Sequence, residues 1–87
     1  MAGTVLIADG VVTNRIALKA RLAAAFYRVV QAAGAAEAET RIAEAPLEAV
    51  LLGESLAEGD ALRLCARLRA RPESADLPIL LLAAAPG

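Results

Sequence analysis

The segment Ala49-Val50-Leu51-Leu52-Gly53 places four consecutive apolar residues directly before a glycine. A short, continuous apolar run predicts a strand that is buried on both faces, as the strands of a parallel sheet are. The glycine that ends the run has no side chain, so it supplies no acid, base or nucleophile at the end of this strand. We therefore expect the strand to contribute to a core and its last residue to contribute no reacting group.

The rest of the chain repeats this kind of run, with an amphipathic or alanine-rich segment between successive runs. Strands that alternate with helices form a parallel sheet with right-handed crossovers. The sequence therefore predicts an α/β fold, an open doubly wound sheet of four strands with three helices and with both faces of the sheet covered. Strands are predicted at residues 5–8, 27–32, 48–52 and 79–82, and helices at residues 14–25, 35–45 and 61–69.

Local patterns predict the caps and the buried faces of two of these helices. Residues 13–14 offer capping side chains for the first helix, and Ile16 on that helix is predicted to face the sheet. On the third helix, Asp60 is the expected cap, and the spacing places Leu62, Cys65, Ala66 and either Leu68 or Arg69 on the side that faces the sheet. The single cysteine is therefore expected to be a small buried hydrophobic group rather than a reactive thiol.

Composition excludes several classes of partner and site. The chain has 87 residues, with 9 basic and 10 acidic side chains and a formal net charge of −1, so it offers no broad attraction to nucleic acid or to an anionic membrane. It contains no histidine and one cysteine, which excludes a Cys/His zinc site. No apolar stretch approaches the roughly 20 residues that span a bilayer. We expect a cytoplasmic protein with protein partners.

Several motifs, taken together, resemble the receiver domains of bacterial two-component response regulators, and especially those linked to diguanylate cyclases. The resemblance covers nearly the whole chain and implies a flavodoxin-like sheet with strand order 2-1-3-4. It also implies that the carboxyl ends of the first and third strands lie side by side, where such domains have their site. The matching motifs are Val5-Leu6-Ile7-Ala8-Asp9, Thr13-Asn14-Arg15, Leu51-Leu52-Gly53, the helix at 62–69 with Pro72 after it, and Leu77-Pro78-Ile79.

The chain departs from the receiver pattern at the positions that carry the chemistry. The resemblance implies that an active receiver has a magnesium site. Two adjacent acids after the first strand and a phospho-accepting aspartate after the third form this site. Here Asp9 matches the first acid, Gly10 replaces the second and Gly53 replaces the acceptor. Ala83 stands at the position of the hydroxyl residue after the fourth strand. Without a nucleophilic carboxylate at position 53, no aspartyl phosphate can form there.

Alternatives remain open for the acidic side chains around this site. Glu54 is a candidate substitute acceptor or a permanent mimic of phosphate, although a shift of one residue along a strand normally redirects the side chain. Asp9 either holds a Mg²⁺ ion in a partial site or accepts hydrogen bonds from backbone donors at a helix start. We expect no other cofactor and no catalytic residue.

The resemblance and the departures together predict a protein that is not an enzyme. We expect a pseudo-receiver that acts without phosphorylation as a dimerisation or docking module in phosphorelay signalling, with a homodimer formed near 79–82. A C-terminal diguanylate cyclase is the output that the resemblance suggests. We expect residues 1–87 to be a single receiver-like domain, an N-terminal fragment that lacks the last helix-strand-helix portion. The alternatives are phosphotransfer through Glu54 and binding of a small ligand in the space beside Gly10 and Gly53.

Overall fold

Four parallel strands and three helices form the fold of the protein, in a computed structural model that describes residues 3–44, 46–53, 56 and 61–82. The elements alternate along the chain as the sequence predicts. In chain order they are β1 (Thr4–Ala8), α1 (Val12–Ala24), β2 (Arg28–Ala32), α2 (Ala35–Glu44), β3 (Ala49–Gly53), α3 (Ala61–Arg69) and β4 (Ile79–Leu82).

The sheet has the strand order β2-β1-β3-β4, and all three pairings are parallel. The predicted flavodoxin-like fold class and strand order are therefore confirmed. Ala8 at the end of β1 pairs with Leu52 of β3. This register places the next residues of the two strands, Asp9 and Gly53, side by side at the carboxyl edge of the sheet.

Two apolar layers cover the sheet. On one face, α2 and α3 enclose a core whose central side chains include Leu6, Val50 and Leu64. On the other face, Leu18 and Leu22 of α1 lie against a smaller cluster. The branched and apolar residues of β1 and β3 are buried on both faces, which explains why their sequences are continuous apolar runs.

The start of α1 differs from the prediction. The helix begins at Val12, and its N-cap residue, Val11, makes no side-chain capping bond. The prediction that residues 13–14 cap the helix is therefore wrong, because both lie inside its first turn. Ile16 is also not on the sheet-facing side, since its side chain is 59% exposed.

The buried face of α3 is rotated from the predicted one. Leu68 is buried as predicted, but the other buried residues are Ala61 and Leu64, whereas Leu62 and Ala66 are exposed and Cys65 is half-buried. The two candidate faces differ by about 100° of rotation. Because α3 has apolar residues at both sets of positions, only the packing against the sheet selects between them. The predicted cap of this helix, Asp60, lies outside the described residues.

The prediction that every strand is covered on both faces is wrong for β4. Leu80 is 58% exposed and Leu81 is 48% exposed, and consecutive residues of a strand point to opposite faces. This strand lies at one edge of the sheet, whereas α1 packs against β1 and β2 toward the opposite edge. The helix α1 therefore leaves β4 uncovered. In the part of the chain that the structure describes, no helix is both long enough and apolar enough to cross a membrane.

Candidate functional site

The candidate site is the corner where β1 and β3 end together. Asp9 follows β1 directly and is 3% exposed, so its carboxylate is buried at the edge of the sheet. Its backbone N–H donates to the carbonyl oxygen of Ala32 at 3.0 Å, which continues the hydrogen bonding between β1 and β2 by one residue. The position of Asp9 is therefore fixed by the sheet itself.

The Asp9 carboxylate accepts hydrogen bonds from the start of α1. Oδ1 accepts from the backbone N–H of Val11 at 2.8 Å, and Oδ2 accepts from the Asn14 side-chain Nδ2 at 3.3 Å. Asp9 thus forms an Asx turn that binds the backbone N–H of the N-cap residue, Val11. The turn fixes the backbone just before α1, which starts at Val12.

Gly53 faces the same carboxylate from β3. A Cβ atom built on Gly53 would lie 2.5 Å from Asp9 Cγ and 3.0 Å from Asp9 Cβ, and it would overlap Asp9 Oδ2. Carbon atoms in ordinary contact are about 3.5–4.0 Å apart. Asp9 therefore occupies the volume in which any side chain at position 53 would begin. The space expected beside Gly53 for a small ligand contains this carboxylate.

The described residues at this corner do not fit a magnesium ion. Mg²⁺ requires several oxygen ligands in near-octahedral geometry. Gly10 and Gly53 offer no side-chain oxygen, and both oxygens of Asp9 accept the hydrogen bonds described above. Within the described part of the chain, no three Asp, Glu, Cys or His side chains form a group that could hold a metal ion.

Two further predicted positions, Glu54 and Ala83, lie outside the described residues. Of the predicted site positions that the structure describes, Asp9, Gly10 and Gly53 lie together at the ends of β1 and β3, as the strand order implies. Cys65 lies apart from them on α3 as a half-buried free thiol.

Sequence reasoning missed a role for Arg15 at this end of the sheet. Its Nη1 donates to the carbonyl oxygen of Asp9 at 2.6 Å, and its Nε donates to Gln31 Oε1 at 3.2 Å. The signal was present as Thr13-Asn14-Arg15, which sequence reasoning assigned only to the beginning of a helix. The guanidinium borders an open cleft of about 430 Å³, lined by Arg15, Val30, Gln31, Ala32, Ala33, Glu37 and Arg41.

Comparison with solved structures identifies the fold to which this corner belongs. A protein described as a response regulator, from Chloroflexus aurantiacus J-10-fl, is 35% identical with a TM-score of 0.86, over 90% of this chain and 64% of that chain. The N-terminal domain of a response regulator receiver protein from Methanoculleus marisnigri JR1 is 25% identical with a TM-score of 0.89, over 97% of this chain and 68% of that one. A sensor protein from Polaromonas sp. JS666 is 23% identical with a TM-score of 0.92, over 97% of this chain and 67% of that one.

These likenesses show that the structural neighbours of the chain are response-regulator receiver domains, and that the chain has their fold. It spans about two thirds of the length of the structures that it matches. No protein-family model matches the chain, and no curated protein sequence does.

Proposed function

We propose that this receiver-like chain is a module of two-component signalling that acts through protein contacts and without phosphorylation of its own. The observation that carries the proposal is the contact between Asp9 and Gly53. The acidic side chain that remains at the corner is hydrogen-bonded to the start of α1 and fills the volume beside the glycine.

The chemistry of phosphotransfer supports this proposal. An acyl phosphate forms when a carboxylate oxygen attacks the phosphorus atom of a donor and the leaving group departs. Gly53 has no such oxygen at the end of β3. Asp9 is 3% exposed and its oxygens accept hydrogen bonds from Val11 and Asn14, so they are not presented to a donor in solution.

The apolar edge of the sheet supports a role in protein contacts. Leu80 and Leu81 of β4 expose apolar side chains on opposite faces of the strand. No strand among the described residues pairs with the outer edge of β4. Exposed strand edges and apolar patches favour association. We propose a second copy of the chain as the occupant of this edge, because two such edges present the same apolar surface to each other.

The output of the module is a further part of the proposal. The motifs Thr13-Asn14-Arg15 and Leu77-Pro78-Ile79 resemble those of receivers that are linked to diguanylate cyclases. A cyclase regulated through dimer formation is therefore the output that we propose.

Exposure to a small phosphodonor tests the proposal. The chain is incubated with acetyl phosphate and Mg²⁺, and intact-mass spectrometry then looks for a hydroxylamine-sensitive phosphoryl adduct. We expect no adduct, and we expect no change in the amide resonances of Asp9, Val11 and Gly53 on addition of Mg²⁺ and beryllofluoride, which imitates a phosphoryl group on a carboxylate.

The variant Glu54→Gln separates the proposal from its main alternative. An adduct that forms on the unmodified chain and disappears in Glu54→Gln would establish a phosphotransfer receiver with a non-standard acceptor and would overturn our proposal. Glu73→Gln is a suitable control, because Glu73 is an exposed acid in the connection after α3.

A further inference from the structure

We propose that the cleft beside β2 binds a small oxyanion, a phosphate or carboxylate group, with the guanidinium of Arg15 as its main charged contact. This cleft lies between α1 and the start of α2, and it is distinct from the corner formed by Asp9 and Gly53. The inference stands independently of whether the chain accepts a phosphoryl group.

Arg15 is held in place while most of its donors stay available. A guanidinium has five N–H donors in a rigid fork. The hydrogen bonds of Arg15 are made by Nε to Gln31 Oε1 at 3.2 Å and by Nη1 to the Asp9 carbonyl oxygen at 2.6 Å. These two contacts fix the plane of the group before any ligand arrives, which lowers the entropy that binding must overcome.

Arg15 is not paired with either acid beside the cleft, Glu37 or Glu44. Both of its acceptors are neutral, and it forms no ion pair with any residue that the structure describes. Its side chain is only partly exposed. A partly buried cation normally has an anionic partner, because desolvation without one is costly.

The second arginine of the cleft differs from Arg15 in this respect. Arg41 forms ion pairs with Glu37 at 3.4 Å and with Glu44 at 3.2 Å. Glu37 also accepts a hydrogen bond from the backbone N–H of Ala33 at 2.9 Å. Both carboxylates are therefore held by Arg41 on the α2 side of the cleft, and the guanidinium on the α1 side, that of Arg15, has no carboxylate bonded to it among the described residues.

The size and lining of the cleft fit a small ligand. Its volume of about 430 Å³ falls within the range of roughly 300–1,000 Å³ that is usual for small-molecule sites. Val30 and Ala33, which are both half-buried, add apolar side chains to the lining of the cleft. A planar guanidinium binds phosphate and carboxylate groups through two parallel hydrogen bonds. A small molecule with one oxyanion group and an apolar part matches this arrangement.

Nuclear magnetic resonance titration tests the inference. Inorganic phosphate and, separately, succinate are added at constant ionic strength, and the amides of Gln31, Ala32 and Ala33 and the Arg15 Nε–H are followed. We expect saturable shifts confined to these groups with at least one of the two probes, at a dissociation constant on the order of 1 mM. The two probes distinguish a phosphate ligand from a carboxylate ligand.

Substitution of Arg15 provides the matched comparison. Arg15→Gln should weaken binding by about tenfold or more, as expected for loss of a hydrogen-bonded charge. Arg21→Gln removes the same charge from an exposed position of α1 outside the cleft and should leave the affinity unchanged. Equal losses in both variants, shifts that survive in Arg15→Gln, or no saturable shift with either probe would overturn the inference. Circular dichroism confirms that each variant is folded.

Discussion

The missing Cβ of Gly53 and the position of the Asp9 carboxylate depend on each other. The carboxylate can hydrogen-bond the start of α1 because no side chain at position 53 competes for its volume. The resemblance to receiver domains implied that these two residues would meet, since it implied that the carboxyl ends of the first and third strands are adjacent in the sheet. It could not predict the contact, because the direction of a short acidic side chain depends on which donors the next helix presents.

The variant Gly53→Ala tests this dependence. The added methyl group must displace the carboxylate, so we expect the free energy of unfolding to fall by about 1–3 kcal/mol, the usual cost of overpacking. This exceeds the gain of roughly 0.5–1 kcal/mol expected for replacing a strand glycine. In an Asp9→Ala background the same substitution should be much less costly. Urea denaturation measures all four proteins, and an equal cost in both backgrounds would contradict the contact.

Phe26 is a second residue whose conformation runs against its type. Its φ angle is +68°, in the left-handed region, and its side chain is 77% exposed. It ends α1 in a Schellman motif, with hydrogen bonds from Tyr27 N–H to the Leu22 carbonyl at 3.1 Å and from Phe26 N–H to the Ala23 carbonyl at 3.0 Å. Glycine normally occupies this position, because a Cβ there costs about 1–2 kcal/mol.

We therefore expect Phe26→Gly to stabilise the protein by about 0.5–1 kcal/mol, after allowance for the greater freedom of glycine in the unfolded chain. Ala20→Gly, on an exposed position inside α1, should instead destabilise it by about 1 kcal/mol. Thermal and urea unfolding measure both changes. A loss of stability in Phe26→Gly would mean that the phenyl ring makes contacts that outweigh the strain.

At the scale of elements, α3 is joined to β4 by a connection that one arginine organises. Arg69 Nη1 donates to the carbonyl oxygens of Ala75 at 2.8 Å and Leu77 at 2.6 Å. The buried Ser74 hydroxyl donates to the carbonyl oxygen of Leu68 at 2.6 Å, which satisfies an acceptor at the end of the helix. These contacts fix the path of the chain into Ile79.

Arg69→Lys tests the importance of this connection. Lysine has a more flexible stem and a more strongly hydrated ammonium group, so its nitrogen is held less firmly at the carbonyl oxygens of Ala75 and Leu77. We therefore expect a loss of about 1–2 kcal/mol and faster amide exchange in β4. Arg63→Lys, at an exposed position on the same helix, should change neither quantity. Unchanged exchange at Leu80 and Leu81 in Arg69→Lys would show that other contacts hold the strand.

Sequence patterns predicted the elements better than their orientation. Continuous apolar runs identified β1 and β3 because burial on both faces leaves little room for polar residues. The strand β2 was predicted from its β-branched residues, and β4 from an apolar run that is exposed at Leu80 and Leu81. The rotation of α1 and α3 was predicted only in part: Leu18, Leu22 and Leu68 face the sheet as predicted, but alanine and leucine occur all around these helices and the apolar period is weak. Ile16 and Leu62 are exposed for this reason.

At the scale of the whole molecule, the two faces of the sheet are covered unequally. Helices α2 and α3 lie on one face and are tied together by Glu39 of α2, which pairs with Arg67 at 2.7 Å and Arg71 at 2.9 Å of the segment that begins with α3. On the other face, α1 covers β1 and β2, while Leu80 of β4 is exposed. Strand order predicts that β4 is an edge, but sequence alone does not reveal how far α1 extends across the sheet.

A homodimer through β4 has a direct test in light scattering. We expect the molar mass of a dimer, which falls toward that of a monomer on dilution. We expect Leu80→Glu to give a monomer at every concentration, because it places a charge in the contact. Ile16→Glu adds the same charge at a similarly exposed apolar residue of α1 and should leave the dimer intact. A monomer at every concentration, or equal dissociation in both variants, would rule out this interface.

The pairing of Asp9 with Gly53 also limits the mutational routes that lead from this chain to a phosphorylatable one. An aspartate introduced at position 53 would have to begin in the volume that the Asp9 carboxylate occupies. Asp9 can move aside only by releasing Val11 and Asn14, which weakens the start of α1. The single change that introduces an acceptor at position 53 is therefore destabilising until a second change provides another partner for the Val11 N–H. A route from this chain to a phosphorylatable one therefore depends on the order of the substitutions as well as on their number.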